Sequence, residues 1–122
     1  MYLINHPEFG WQAFGGNVTT TGGRVTVAVT DSMRQRLFIA PLGLYLTLDA
    51  GRFESVSLDP QTGQVGVALA PATATVAQAR LRVERTARTM PARTWTPAGT
   101  FALERGAYTI PLGTNRTTVE LR

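Results

Sequence analysis

The sequence predicts an all-β domain, an antiparallel β-sandwich of about eight to ten short strands, and three observations carry that reading. Apolar residues recur at every second position, as in Val25, Val27 and Val29 or Leu44, Leu46 and Leu48, and this period belongs to half-buried strands. Turn-forming clusters such as Asp59-Pro60-Gln61-Thr62-Gly63 separate the apolar runs. No clear helical segment intervenes, which favours two sheets packed face to face over a βαβ arrangement. A small closed barrel carries the same alternation and is the competing architecture.

The chain enters strand-like sequence at Tyr2, Leu3 and Ile4. Arg24 to Thr30 places three valines on one face and Thr26, Ala28 and Thr30 on the other, and Asp31-Ser32 then turns. A second strand, with Met33, Gln35, Leu37 and Ile39 on one face, runs toward Pro41, which has no ladder donor. Leu44 to Leu48 and Arg52 to Leu58 flank Asp49-Ala50-Gly51 and read as a hairpin. At Asp59-Pro60-Gln61-Thr62-Gly63 the hairpin signal is strongest, because Pro60 pre-sets a type I turn and Gly63 accepts positive φ before Val65, Val67 and Leu69. The Ala-rich stretch Ala72 to Arg88 is compatible with a helix, but Leu81 and Val83 set between charged residues favour a strand. Thr94 to Thr96, Thr100 to Leu103, Ala107 to Leu112 and Thr117 to Arg122 follow as short strands broken at Pro97, Gly99, Gly106 and Gly113.

At 122 residues, 43% of them hydrophobic, the chain has the size and composition of one globular domain spanning residues 1–122. With no cysteine, disulfides and thiolate metal sites are excluded, and the compartment stays open because an exported bacterial domain can also lack them. No apolar run reaches the roughly 20 residues of a bilayer span. An abrupt start, and a last strand running to the final residue, suit a fragment or C-terminal domain of a longer protein. The net charge of +4 invites a nucleic-acid partner, yet all twelve basic residues are arginine, as GC-rich codon usage produces, so neither nucleic acid nor membrane is expected as a partner.

Chemistry-bearing residues are few. His6 is the sole histidine, which leaves a multi-histidine metal site without ligands and a Ser-His-Asp arrangement dependent on a turn residue. The eight carboxylates include Asp31, Asp49 and Asp59, which have a simpler role as turn formers. A glycosidase-like pair, about 5 to 10 Å apart, is therefore the least favoured use of them. Neither metal nor cofactor is expected.

The segment Phe9-Gly10-Trp11-Gln12-Ala13-Phe14-Gly15-Gly16-Asn17 interleaves aromatics with glycines and amides. Aromatic rings can cover the apolar face of a pyranose while amides and guanidinium groups bond its hydroxyls. On that logic Trp11, Gln12, Tyr45, Arg93 and Trp95 are the candidate ligand-binding residues, with Tyr108 a further aromatic. The alternative puts Trp11 and Phe14 in the interior and uses the glycines where strands bend or pass closely. Arg80, Arg82, Arg85, Arg88 and Arg93 form the densest charge cluster, suited to the solvated side of a sheet or to a domain interface.

Two stretches, His6 to Asn17 (His-Pro-Glu-Phe-Gly-Trp-Gln-Ala-Phe-Gly-Gly-Asn) and Ala40 to Gly51 (Ala-Pro-Leu-Gly-Leu-Tyr-Leu-Thr-Leu-Asp-Ala-Gly), resemble the C-terminal β-sandwich region of large uncharacterised bacterial proteins. Those proteins in turn resemble glycoside hydrolases, with a helical toroid flanked by β-sandwich domains. The resemblance implies that any chemistry belongs to the helical domain and transfers no catalytic residue here. The leading expectation is thus a non-catalytic accessory domain, with the other domains of its parent chain as partners. An autonomous carbohydrate-binding module is the alternative, and a small carboxylate-based hydrolase ranks last.

Overall fold

The computed structural model describes residues 1–32, 34–85 and 94–122. Met33 of the expected second strand, Arg88 of the arginine cluster and the candidate Arg93 lie outside the described residues. Twelve strands are present: β1 Tyr2–His6, β2 Gly10–Phe14, β3 Gly16–Thr21, β4 Arg24–Val29, β5 Arg36–Ile39, β6 Leu44–Ala50, β7 Phe53–Leu58, β8 Val65–Leu69, β9 Gln78–Arg85, β10 Ala102–Glu104, β11 Ala107–Pro111 and β12 Thr117–Leu121. They form two open sheets, one of seven strands in the order β10-β11-β9-β6-β5-β1-β2 and one of five in the order β12-β8-β7-β4-β3. The fold is the expected β-sandwich rather than a closed barrel, with more strands than the turn signals alone suggested. The additional ones are β2 and β3 in the glycine-rich segment, where few aliphatic residues mark the alternation.

Alternation explains the core. Val25, Val27 and Val29 of β4, Leu44, Leu46 and Leu48 of β6, and Val119 and Leu121 of β12 are buried, and they meet Leu3, Leu37, Ile39, Phe53, Leu81 and Ile110 in one cluster drawn from both sheets. No charged or polar residue is buried among the described residues. Ladder pairing of the interior strands, such as β8 between β7 and β12, satisfies the backbone that accompanies these side chains into the core.

Hairpins are laid alternately in the two sheets: β1–β2 and β5–β6 in the larger, β3–β4 and β7–β8 in the smaller. The Asp59 turn behaves as its residues predict. The Asp59 carboxylate Oδ1 accepts the Gln61 amide at 2.9 Å and the Asp59 carbonyl accepts the Gly63 amide at 2.7 Å, while Gly63 holds φ at +73°.

The expected hairpin at Asp49-Ala50-Gly51 is corrected, because β6 and β7 lie in different sheets. The register shifts between Leu48 and Ala50 on β6 and again between Phe53 and Ser55 on β7. Such bulges bend a strand and carry it across a sandwich corner. Gly51 sits between them with φ +94°, and a Cβ there would stand 3.0 Å from the Ala79 Cβ. Asp, Ala and Gly encode a turn, but whether it returns the chain to its own sheet is set by those long-range bulges.

Two further differences bear on the surface. β1 pairs with β5 in parallel, with Tyr2 opposite Phe38 and Leu3 opposite Ile39, so the larger sheet is not wholly antiparallel. The expected strand at Thr94 to Thr96 is absent; Thr96 exchanges backbone hydrogen bonds with Arg122, and the pairing amounts to an isolated bridge at Pro97 and Leu121. Replacement Gly51→Ala is expected to lower stability by about 1–3 kcal/mol, through an unfavourable φ and the close approach to Ala79. Urea unfolding of the two proteins measures it, and a neutral substitution would contradict the corner described here.

Candidate functional site

The outer face of the seven-stranded sheet carries the surface feature that the fold itself does not use. On β1, β5 and β6 the aliphatic residues Leu3, Leu37, Ile39, Leu44 and Leu46 point into the core, so the intervening Tyr2, Phe38 and Tyr45 point out. Phe14 of β2 lies opposite Tyr2, Tyr2 opposite Phe38, and Phe38 opposite Tyr45. Four aromatic residues from four adjacent strands thereby form one row across the sheet.

Ring centroids are 6.2 Å apart for Phe14 and Tyr2, 5.2 Å for Tyr2 and Phe38, and 6.2 Å for Phe38 and Tyr45. Tyr2 and Phe38 are stacked at 23°, so each covers a face of the other. Phe14 and Tyr2 are exposed, at 61% and 43%, and Phe38 and Tyr45 are half-buried. An exposed Phe at the end of a row gains nothing from solvent and contributes little to the interior, so the row is an exposed apolar patch that core packing does not explain.

Polar residues border it. Beside Phe38 and Tyr45 run Arg36, Thr47 and Arg82, which are in register across β5, β6 and β9. Gln12, opposite Ile4, flanks the Phe14 end. Arg82 is held by Asp49 through contacts of 2.8, 3.0 and 3.2 Å, and its Nη1 also donates to the Arg105 carbonyl at 2.9 Å. The guanidinium hydrogen bonds hold the Asp49 carboxyl below its ordinary range, and the positive charges of Arg82 and Arg80 act in the same direction. Arg80 donates to the Glu104 carbonyl at 2.9 Å. Two members of the arginine cluster thus strap β9 to the turn between β10 and β11 instead of standing free for a ligand.

The candidate residues separate on this fold. Gln12 and Tyr45 share the outer face. Trp11, next to Gln12 on β2, faces the opposite way and packs against the core, as does Tyr108. Trp95 is 6% exposed, with its indole Nε1 donating to the Gly63 carbonyl at 2.9 Å, so it anchors the β7–β8 turn. Trp11, Tyr45 and Trp95 do not meet on one surface. Sequence reasoning missed Tyr2 and Phe38, although their position out of phase with buried neighbours marked both as outward. What it lacked was the parallel β1–β5 register that joins them.

Concavities also mark the surface. A groove of about 480 Å³ lined by Trp11, Gln12, Phe14, Asn17 and Val18 runs where β2 and β3 diverge. A cleft of about 560 Å³ lies between the Asp49–Arg52 corner and the loop through Pro71 and Val76. Arg52 lines it together with three polar residues that bond within the protein: Asp49 to Arg82, Gln35 to the Gly51 carbonyl, and the Thr73 hydroxyl to the Val76 amide. Among the described residues no three histidine or carboxylate side chains converge as metal ligands would.

Fold and surface together define a two-layer β-sandwich in which Asp49 and Arg82 form a structural pair and an aromatic row crosses the outer face of one sheet. Residues 1–120 match DUF5695, a family of unknown function, and the chain belongs to that family. No curated protein and no solved structure matches it.

Two outcomes test these placements. Trp95→Phe is expected to lose about 1–3 kcal/mol by leaving the Gly63 carbonyl unpaired, whereas Trp11→Phe should leave a fluorescence that acrylamide quenches poorly. Equal quenching of the two tryptophans would contradict the assignment. The depressed Asp49 pKa makes its ion pair stabilising above the ordinary carboxylate range, and that contribution disappears as pH falls through the lower folded value. The stability gap between the wild type and Asp49→Asn should therefore be constant at neutral pH and close in strong acid, as followed by urea unfolding across a pH series.

Proposed function

We propose that this domain is a non-catalytic accessory β-sandwich that docks onto a neighbouring domain of a larger, carbohydrate-active bacterial protein. The observation that carries the proposal is the row Phe14, Tyr2, Phe38 and Tyr45 beside Arg36, Thr47 and Arg82. Aromatic and arginine side chains are the types enriched at protein interfaces, and exposed rings near a patch centre are where truncation costs most affinity. The two stretches that resemble accessory regions of glycoside-hydrolase-like proteins support the same reading. They contribute Phe14 and Tyr45, the ends of the row.

A second reading, carbohydrate binding, is favoured by one observation. Phe14 is 61% exposed and stands in the shallow groove with the amides of Gln12 and Asn17. Against it, stacked Tyr2 and Phe38 turn faces to each other, and a pyranose platform requires ring faces open to solvent.

The test is calorimetric titration of the domain with the remainder of the polypeptide encoded in its full reading frame, beside a glycan panel followed by tryptophan fluorescence. Docking predicts association that Tyr2→Ser/Phe14→Ser weakens by about tenfold or more, with the unfolding midpoint little changed and no glycan response. Absence of association would overturn the docking proposal, and a saturable glycan response lost in Phe14→Ser would establish the second reading in its place.

A further inference from the structure

The cleft between the Asp49–Arg52 corner and the loop through Pro71 and Val76 has a volume of about 560 Å³, within the range of small-molecule sites. It opens where the bulged corner, the loop after β8 and the end of β11 meet. Ala50, Gly51, Ala70 and Ala72 leave the space, whereas the neighbouring core is filled largely by leucine and valine. Backbone bonds hold its walls together. The Ala70 amide donates to the Arg52 carbonyl at 2.9 Å, the Ala72 amide to the Gly113 carbonyl at 2.8 Å and the Leu112 amide to the Ala77 carbonyl at 3.0 Å, while the Thr73 amide closes the loop on the Val76 carbonyl at 2.8 Å. A concavity fixed in this way needs little ordering when a ligand enters.

Pro71, Val76 and Leu112 add apolar walls. Of the polar lining, Asp49, Gln35 and Thr73 already bond within the protein. Arg52 differs from them: it is exposed, and among the described residues its guanidinium has no hydrogen bond or ion pair to another residue. Asp49 lies on the same cleft, but its charge is matched by Arg82 at 2.8 Å and meets that of Arg80 as well. Positive charge is therefore in excess around the cleft, and such a site concentrates anions. A guanidinium also presents a planar fork of N–H donors that fits a carboxylate through two parallel bonds.

We propose that this cleft binds a small apolar carboxylic acid, its carboxylate paired with Arg52 and its hydrocarbon body lying against Pro71, Val76 and Leu112. An aliphatic body suits the cleft better than a sugar, because among the described residues its lining holds no aromatic ring to cover a pyranose face. The cleft shares no lining residue with the row of Phe14, Tyr2, Phe38 and Tyr45, so this site and the docking reading stand or fall separately.

Octanoate and 1-octanol, matched in chain length and different in charge, are the probes, titrated into the isotopically labelled chain and followed by amide chemical shifts. Octanoate should produce saturable shifts at the Ala50, Gly51, Ala72 and Val76 amides. Its affinity should fall about tenfold or more in Arg52→Gln, and 1-octanol should bind the wild type more weakly by a similar factor. Tyr2→Ser/Phe14→Ser should leave octanoate binding unchanged, which separates this site from the docking surface. Amide dispersion in the same spectra shows that each variant is folded. No saturable shift at the corner and loop, equal affinity for octanol and octanoate, or an Arg52→Gln protein that binds octanoate as the wild type does would overturn the proposal.

Discussion

Every long strand of this domain turns aliphatic side chains toward a single interior shared by two sheets, and that constraint determines the rest. Because the side-chain period is two, one residue of slip in any strand would exchange its buried and exposed sets. Leu44, Leu46 and Leu48 cannot be buried without turning Tyr45, Thr47 and Asp49 outward. The same logic fixes Tyr2 by Leu3 and Phe38 by Leu37 and Ile39. The aromatic row is therefore a consequence of core packing carried to the other side of the sheet, with identities that packing does not require.

Corners convert local hairpins into a sandwich. A chain of simple hairpins would give one meander; bulges on either side of Gly51 instead pass the chain from β6 in one layer to β7 in the other. A related crossing at Gly15-Gly16 joins β2 to β3. A Cβ at Gly16 would lie 2.6 Å from the Val27 Cγ1, so the strand approaches its neighbour more closely than any side chain permits. Placing β2 beside β1 and β3 beside β4 puts Phe14 at the end of the aromatic row and, among the described residues, β3 at an edge of the other layer.

Local structure was therefore legible where neighbouring residues decide it. The valine alternation of β4, the leucine alternation of β6 and the Asp59 turn all appear as their sequences predict, because each depends on residues a few positions apart. Sheet partners were not legible. Asp49-Ala50-Gly51 has the composition of a hairpin and the role of a corner, and Tyr2 pairs in parallel with a strand more than thirty residues away. Candidate site residues followed the same division. Side-chain type suggested Trp95 as a platform, but its burial depends on the distant Gly63 carbonyl, while Tyr2 and Phe38 acquire meaning only once their strands are adjacent.

Several charged side chains serve the fold itself. Asp49 and Arg82 neutralise one another, Arg80 and Arg82 tether a turn, and Asp59 caps its own loop. The outward aromatics remain, and whether four strands bring them together decides the account. A NOESY spectrum of the labelled domain tests this most directly. It should connect ring protons of Phe14 with Tyr2, Tyr2 with Phe38 and Phe38 with Tyr45, with no contact from these rings to the methyl groups of Val27 or Val67. Contacts to those interior methyls, or a missing Tyr2–Phe38 connection, would contradict it.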